Sequence, residues 1–204
     1  PYRYIDTHGG AGKYNLSLAP SQKSGEFLTG IHRLVQLGEV EKRQAPESVQ
    51  QFLKIVDDLR AKEGKGSYPG SPWFALQAMR EMDKATVFEM QRDVFQQLDH
   101  NVYDKRIGLH ERDAYEGLLG VIPPKEKRGL VMIDPPYELE RKDFPQLVEL
   151  LHVAHTKWPT GVFAVWYPIK DRAMIERFEK KMFKTGIRRQ LICEICVWPD
   201  DTPV

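Results

Sequence analysis

The chain has 204 residues, 41% of them apolar and 29% charged, with a formal net charge of +1. That is enough chain and enough apolar surface for one globular domain with a proper core, and no apolar run approaches the roughly 18 residues of a membrane span. A charge so near zero excludes a general positive field as the means of holding a nucleic acid.

Tyr2 to Asp6 reads as a short strand, followed by the glycine-rich His8-Gly9-Gly10-Ala11-Gly12. Gly25 to Leu37 then shows helical spacing of Phe27, Leu28, Ile31, Leu34 and Val35. A charged, glutamine-rich stretch follows, in which Val49, Phe52, Leu53, Val56 and Leu59 form an amphipathic helix ended by Gly64 and Gly66. Pro69-Gly70-Ser71-Pro72 is a turn, and Trp73 to Glu81 resumes as helix. Next come a strand Ala85 to Met90, a helix around Val94 to Leu98, a strand Arg106 to His110, and a wholly apolar strand Leu130 to Ile133 ending in Asp134. Phe144 to His155 is helical, Val162 to Trp166 a strand, Met174 to Phe183 a helix, and Gln190 to Trp198 a last strand. Such alternation predicts an α/β fold with a parallel sheet covered by helices on both faces.

Any nucleic-acid partner would rely on local patches, such as Lys125, Lys127 and Arg128, or Lys180, Lys181, Lys184, Arg188 and Arg189. Taken singly, each is an ordinary solvated face. The two cysteines, Cys193 and Cys196, lie in the β-branched run of the last strand. Positions three apart on a strand point to opposite faces, so they read as core cysteines in a reducing compartment rather than as a zinc pair. His152 and His155 share a helix face without a third ligand at a matching spacing and read as surface residues. No metal is expected. The chain starts at Pro1, directly before a strand, and stops soon after Pro199-Asp200-Asp201, so both ends read as cut edges of something longer.

In open parallel sheets the ligand lies beyond the carboxyl ends of the strands, which makes Asp6 to Gly12, Glu89, Asp113 and Asp134 to Tyr137 the informative positions. The glycine loop is not a P-loop, because Thr7 stands where its first glycine belongs and Tyr14 follows Lys13 where Ser or Thr would bind magnesium. Nor is it the full dinucleotide fingerprint, since Asn15 replaces the third glycine. Asp6-x-x-x-Gly10-x-Gly12 does fit the looser loop of nucleoside-binding methyltransferases, although alone it could simply shape a turn. Glu89 would accept ribose hydroxyls, and Asp113 the amino group of a cofactor adenine; each is equally a residue that caps helices or sits in a solvated loop.

The decisive segment is Asp134-Pro135-Pro136-Tyr137. With average residue usage, that tetrapeptide arises by chance in on the order of one chain per thousand of this length. The amino nitrogen of a nucleobase has its lone pair drawn into the ring and is a poor nucleophile. Hydrogen bonds from its two protons to the Asp134 carboxylate and the Pro135 carbonyl would favour a pyramidal nitrogen with the lone pair aimed outward. Successive prolines fix φ and remove two donors, leaving a stiff set of acceptors. Tyr137 is expected to stack on the flipped base, and Asp134 is the candidate acceptor of the released proton. The segment does not separate adenine N6 from cytosine N4, or RNA from DNA.

Taken together, Asp6 to Gly12, Gly25-Glu26-Phe27-Leu28, Tyr68-Pro69-Gly70-Ser71-Pro72, Ile133 to Glu138, Trp166-Tyr167-Pro168 and Thr185-Gly186-Ile187-Arg188 resemble the RlmJ family along essentially the whole chain. These are bacterial methyltransferases of an adenine N6 in large-subunit (23S) ribosomal RNA. The resemblance implies one class I S-adenosylmethionine-dependent, Rossmann-like methyltransferase domain over 1–204, with a small helical insertion at roughly 38–66 after the first strand-helix unit. By position it puts cofactor contacts on His8, Gly10, Ser71, Glu89, Asp113 and Ala114, and catalysis on Asp134, Pro135 and Tyr137. It also implies S-adenosyl-L-methionine as cofactor, naked 23S ribosomal RNA as partner, a monomer, and a cytoplasmic location. His8 and Ser71 have no independent signal, and Ala114 stands where a glycine is common. Family members carry an N-terminal segment rich in His, Asn and Lys that helps close the cofactor site, and a further C-terminal strand; the sequence contains neither. Two rival readings stay open: a DNA adenine or cytosine amino methyltransferase, and a non-catalytic DNA-binding protein serving the use of external DNA as nutrient.

Overall fold

The structure, a computed structural model, describes residues 1–18, 26–137 and 140–195. Five parallel strands make its sheet: β1 (Arg3–Asp6), β4 (Lys84–Glu89), β5 (Ile107–Glu111), β6 (Gly129–Ile133) and β7 (Val162–Val165), in the order β5-β4-β1-β6-β7. The chain builds outward from β1 to β4 and β5, then returns to β1's other side for β6 and β7. β1 is therefore held on both edges, with Arg3 in register with Lys84 and with Gly129. The sheet reverses direction of growth between β1 and β6, the crevice where open α/β sheets bind ligands.

Both faces are covered, as the alternation of strand and helix requires. Neighbouring Val87 and Phe88 on β4 point to opposite faces and belong to different cores. Val87 packs with Leu76, Leu98 and Val102, from or next to α5 (Ser71–Ala78) and α6 (Arg92–Asn101). Phe88 joins Ile5, Val131 and Ile133 beneath α7 (Ala114–Val121), α8 (Glu140–Lys157) and α9 (Arg172–Lys184). Burying one such side chain contributes roughly 1.5–3 kcal/mol, so both faces add substantially to stability.

Between β1 and β4 the chain makes a two-stranded antiparallel ribbon, β2 (Lys13–Asn15) with β3 (Ser67–Pro69), and four helices ahead of α5. These are α1 (Glu26–Thr29), α2 (Ile31–Val35), α3 (Glu39–Gln44) and α4 (Glu47–Glu63). The single helix expected over Gly25 to Leu37 is split at Gly30; Gly25 itself lies outside the described residues. α4 matches its apolar spacing: Leu53, Val56 and Leu59 are buried, and Gly64 ends it at φ +105. Its apolar side packs on Ile31, and Phe52 stacks on Phe74 of α5 at 5.0 Å between ring centroids. This third core ties the α1–α4 region to the sheet through α5.

The last expected strand is corrected by the structure. Residues 190–195 carry no secondary structure, and 196–198 lie outside the described residues. β-branched residues suit a pleated, half-buried surface, but this stretch has no ladder partner among the described residues, and Leu191 and Ile195 are 88% and 85% exposed. Cys193 is consequently exposed rather than a core cysteine, while Cys196 falls outside the described residues. A cavity of about 1040 Å³ opens between β7, α9 and the 186–193 segment. His152 is exposed, as expected of a surface residue, whereas His155 is half-buried and lines that cavity.

Candidate functional site

The carboxyl ends of β1, β4, β5 and β6 bring the glycine loop, Glu89, Asp113 and Asp134 to one rim. The loop after β1 is shaped by close packing. Gly9 donates its N–H to the Phe88 carbonyl at 2.8 Å, and a Cβ there would sit 2.3 Å from Val87 Cγ1. Gly10 and Gly12 hold φ of +57 and +74, a region that penalises L side chains. Gly10 then turns its N–H onto the Glu89 carboxylate at 3.0 Å, and Glu89 also accepts from the Gln91 N–H at 2.8 Å. The acid ending β4 thus braces the loop ending β1.

Sequence separation hides a second brace. Gly70 donates to the Gly12 carbonyl at 2.8 Å, and the adjoining Ser71 side chain helps stabilise the Asp6 carboxylate against its burial. The Tyr-Pro-Gly-Ser-Pro segment therefore lies directly against the glycine loop, more than fifty residues away along the chain. Asp6 is fully buried and also accepts from the Tyr4 hydroxyl at 2.8 Å and the His8 N–H at 3.2 Å. Burial nevertheless pushes its carboxyl above the ordinary range, with Glu89 adding like-charge repulsion.

His8 follows from the same turn. Its Nδ1 lies 2.7 Å from the Thr7 hydroxyl, and its ring meets Tyr115 edge-on at 6.2 Å. Tyr115 belongs to the first turn of α7, next to the buried Ala114 and to Asp113, whose carboxylate caps that helix by accepting the Tyr115 N–H at 2.8 Å. His8 therefore meets the first turn of α7 through Tyr115, and Asp113 carries out the capping that its sequence context allowed.

On the other side of β1, Asp134 is exposed, Pro135 buried and Pro136 exposed. Neighbouring protein removes part of the water around the Asp134 carboxyl, and Asp6 repels its charge, so its pKa is raised to about 6. Tyr14 links the two halves. Its hydroxyl lies where a Cβ on Gly10 would fall, beside Ala11 and within the fields of Asp6, Glu89 and Asp134. Sequence reasoning gave Tyr14 no role here; the only signal was its place two residues beyond a glycine.

Tyr137 departs from expectation. Its ring is 2% exposed, at φ +50, packed between Phe144 and Trp166, and its hydroxyl donates to the Trp166 carbonyl at 2.5 Å. In this structure it pins the loop rather than presenting a face to a base. Trp166, quoted from the sequence only as part of a matching segment, is the exposed aromatic at this corner, 53% open. Neither basic patch shares the rim: Lys125, Lys127 and Arg128 precede β6, at its amino end, and Lys180, Lys181 and Lys184 lie toward the carboxyl end of α9, which runs back from the carboxyl end of β7, with Arg188 and Arg189 just beyond it in the lining of the cavity beside β7. Among the described residues no group of His, Cys, Asp or Glu could hold a metal ion, and no helix is long and apolar enough to cross a membrane.

The chain is similar to known proteins along its whole length. A family described as "Ribosomal RNA large subunit methyltransferase D, RlmJ" matches residues 1–204. A Haemophilus influenzae protein named ribosomal RNA large subunit methyltransferase J is 36% identical over 97% of this chain and 69% of its own length. The Escherichia coli K12 protein of the same name is 32% identical over 98% of this chain and 70% of its own. A crystal structure of a Legionella pneumophila protein superposes with a TM-score of 0.80 at 27% identity, covering 91% of this chain and 66% of that one. The chain thus spans about two thirds of the length of these relatives, and it belongs to the RlmJ family of ribosomal RNA large subunit methyltransferases.

Proposed function

We propose that the chain transfers a methyl group from S-adenosylmethionine to N6 of an adenine in 23S ribosomal RNA, as a cytoplasmic monomer acting on naked RNA. The observation carrying this reading is that Asp134-Pro135-Pro136-Tyr137 ends β6 beside the glycine loop of β1, with the exposed Asp134 carboxyl raised to about 6 by partial burial and Asp6. The donor set suits the cofactor: Glu89, Asp113 and Asp134 gather negative charge on one rim, which favours a cation. When bound, that group supplies an electrophilic methyl on a positively charged sulfur.

The chain's own residues do the rest. His8, Gly10, Ser71, Glu89, Asp113 and Ala114 form the cofactor side, Ser71 acting through Asp6 to hold the loop. The Asp134 carboxylate and the Pro135 carbonyl accept the two amino protons of the base, turning its lone pair outward, and Asp134 holds the proton released. Tyr137 positions this loop through Trp166. Such effects are chiefly positioning and preorganised electrostatics.

The test is to incubate the protein with S-adenosylmethionine and, separately, 23S transcript and duplex DNA, then digest and identify modified nucleosides. N6-methyladenosine in RNA, lost in Asp134→Ala, is the expected product. Modified DNA or N4-methylcytosine would replace the substrate assignment, and cofactor binding absent from calorimetry would overturn the reading.

A further inference from the structure

We propose that the indole of Trp166 is the surface on which a purine ring of the RNA stacks beside Asp134, a positioning contact resting on the methyltransferase reading above. Four observations converge. Trp166 follows β7 directly, and its N–H donates to the Ile133 carbonyl at 3.0 Å, one residue before Asp134. Its own carbonyl accepts the Tyr137 hydroxyl at 2.5 Å. The backbone of Trp166 is thus bonded on both sides to the segment that carries the reacting acceptors. Alternation along the strand turns Val165 to the core, leaving the indole 53% exposed.

Strand order says which ligand it meets. The glycine loop, Glu89 and Asp113 stand at the ends of β1, β4 and β5, whereas Trp166 stands beyond β6 on the opposite side. A ring there faces what enters next to Asp134 rather than what lies along β4 and β5. Tyr137 cannot fill this role without leaving its site, since its ring is 2% exposed and its hydroxyl is committed to Trp166. Indole has the right character for such a contact, because a large, stiff π-face costs little entropy to order and tolerates whichever purine arrives.

The experiment compares Trp166→Ala, Trp166→Leu and Trp166→Phe with wild type by steady-state methylation of 23S transcript at saturating S-adenosylmethionine. Cofactor Kd is measured by calorimetry alongside. Stacking of one base predicts that Trp166→Ala lowers kcat/KM for RNA by roughly 5- to 150-fold, with cofactor Kd unchanged within about twofold. Trp166→Phe should restore most of the loss, whereas Trp166→Leu, of comparable apolar bulk, should not. Wild-type kcat/KM in Trp166→Ala, equal rescue by Leu, or an equal loss of cofactor affinity overturns the role of Trp166 alone. A wild-type enzyme that modifies no RNA overturns the underlying reading first.

Discussion

Asp134 gives the sharpest test, because its raised pKa makes a signed prediction about pH. With a pKa of about 6, the carboxyl is roughly 9% ionised at pH 5 and roughly 91% at pH 7. If only the carboxylate accepts the amino protons effectively, kcat/KM for RNA should rise about tenfold across that interval, with a midpoint near 6. An unperturbed aspartate, already about 93% ionised at pH 5, would give almost no change. The midpoint belongs to a coupled set, since Asp6 contributes to the shift of Asp134 and Glu89 to that of Asp6. The assay is initial rates at constant ionic strength, with saturating S-adenosylmethionine, in wild type and Asp134→Asn. The amide keeps one acceptor oxygen and cannot titrate, so its low residual rate should be flat over the same range. Stability runs the opposite way. A carboxyl whose folded pKa exceeds its unfolded value holds its proton better when folded, so between about pH 4 and 6 stability falls as pH rises. Asp134→Asn should therefore melt no lower than wild type at pH 7. A flat wild-type profile, or a limb that survives in Asp134→Asn, would remove Asp134 from the role of titrating acceptor.

Three further outcomes follow from the geometry. Glu89→Ala removes a charged acceptor from the Gly10 and Gln91 N–H groups and from the cofactor side, so cofactor Kd in calorimetry should rise by roughly 10- to 150-fold. Gly9→Ala drives a methyl to 2.3 Å from Val87 Cγ1, and thermal or urea melting should show a loss of about 1–3 kcal/mol. Tyr137→Phe keeps the ring but leaves the Trp166 carbonyl without its hydroxyl; stability should drop by about 1–3 kcal/mol and kcat should fall while cofactor Kd holds.

Much of the fold was legible because its signals are local. The strand ending in Asp134 is a continuous apolar run, and the 47–63 helix announces itself by buried Leu53, Val56 and Leu59 on one face. The rim was legible too, since chain direction alone puts the residue after each parallel strand at one edge. What sequence could not supply were contacts between segments far apart. Ser71 reaches Asp6, and Gly70 reaches Gly12, only once β3 has paired with β2. Tyr137 was read from its chemistry, but its positive φ and its place against Phe144 turn the ring inward. The 190–195 run failed for the opposite reason: its strand propensity is real, but propensity makes no strand without a neighbour.

Electrostatics also bears on why the acids of this rim coexist. Asp6, Glu89 and Asp134 raise one another's energy, and burial of Asp6 adds to the cost. A purely structural rim would relieve that repulsion by replacing an acid or adding a lysine. Lys125, Lys127, Arg128, Lys180, Lys181 and Lys184 are instead placed at the other ends of β6 and α9, and the nearer Lys13 and Arg112 pair with Glu63 and Glu116 rather than with these three acids. Charge held at local cost on an exposed edge, next to acceptors that two prolines keep stiff, is what a site needs if its ligands bring the positive charge and the amino protons themselves.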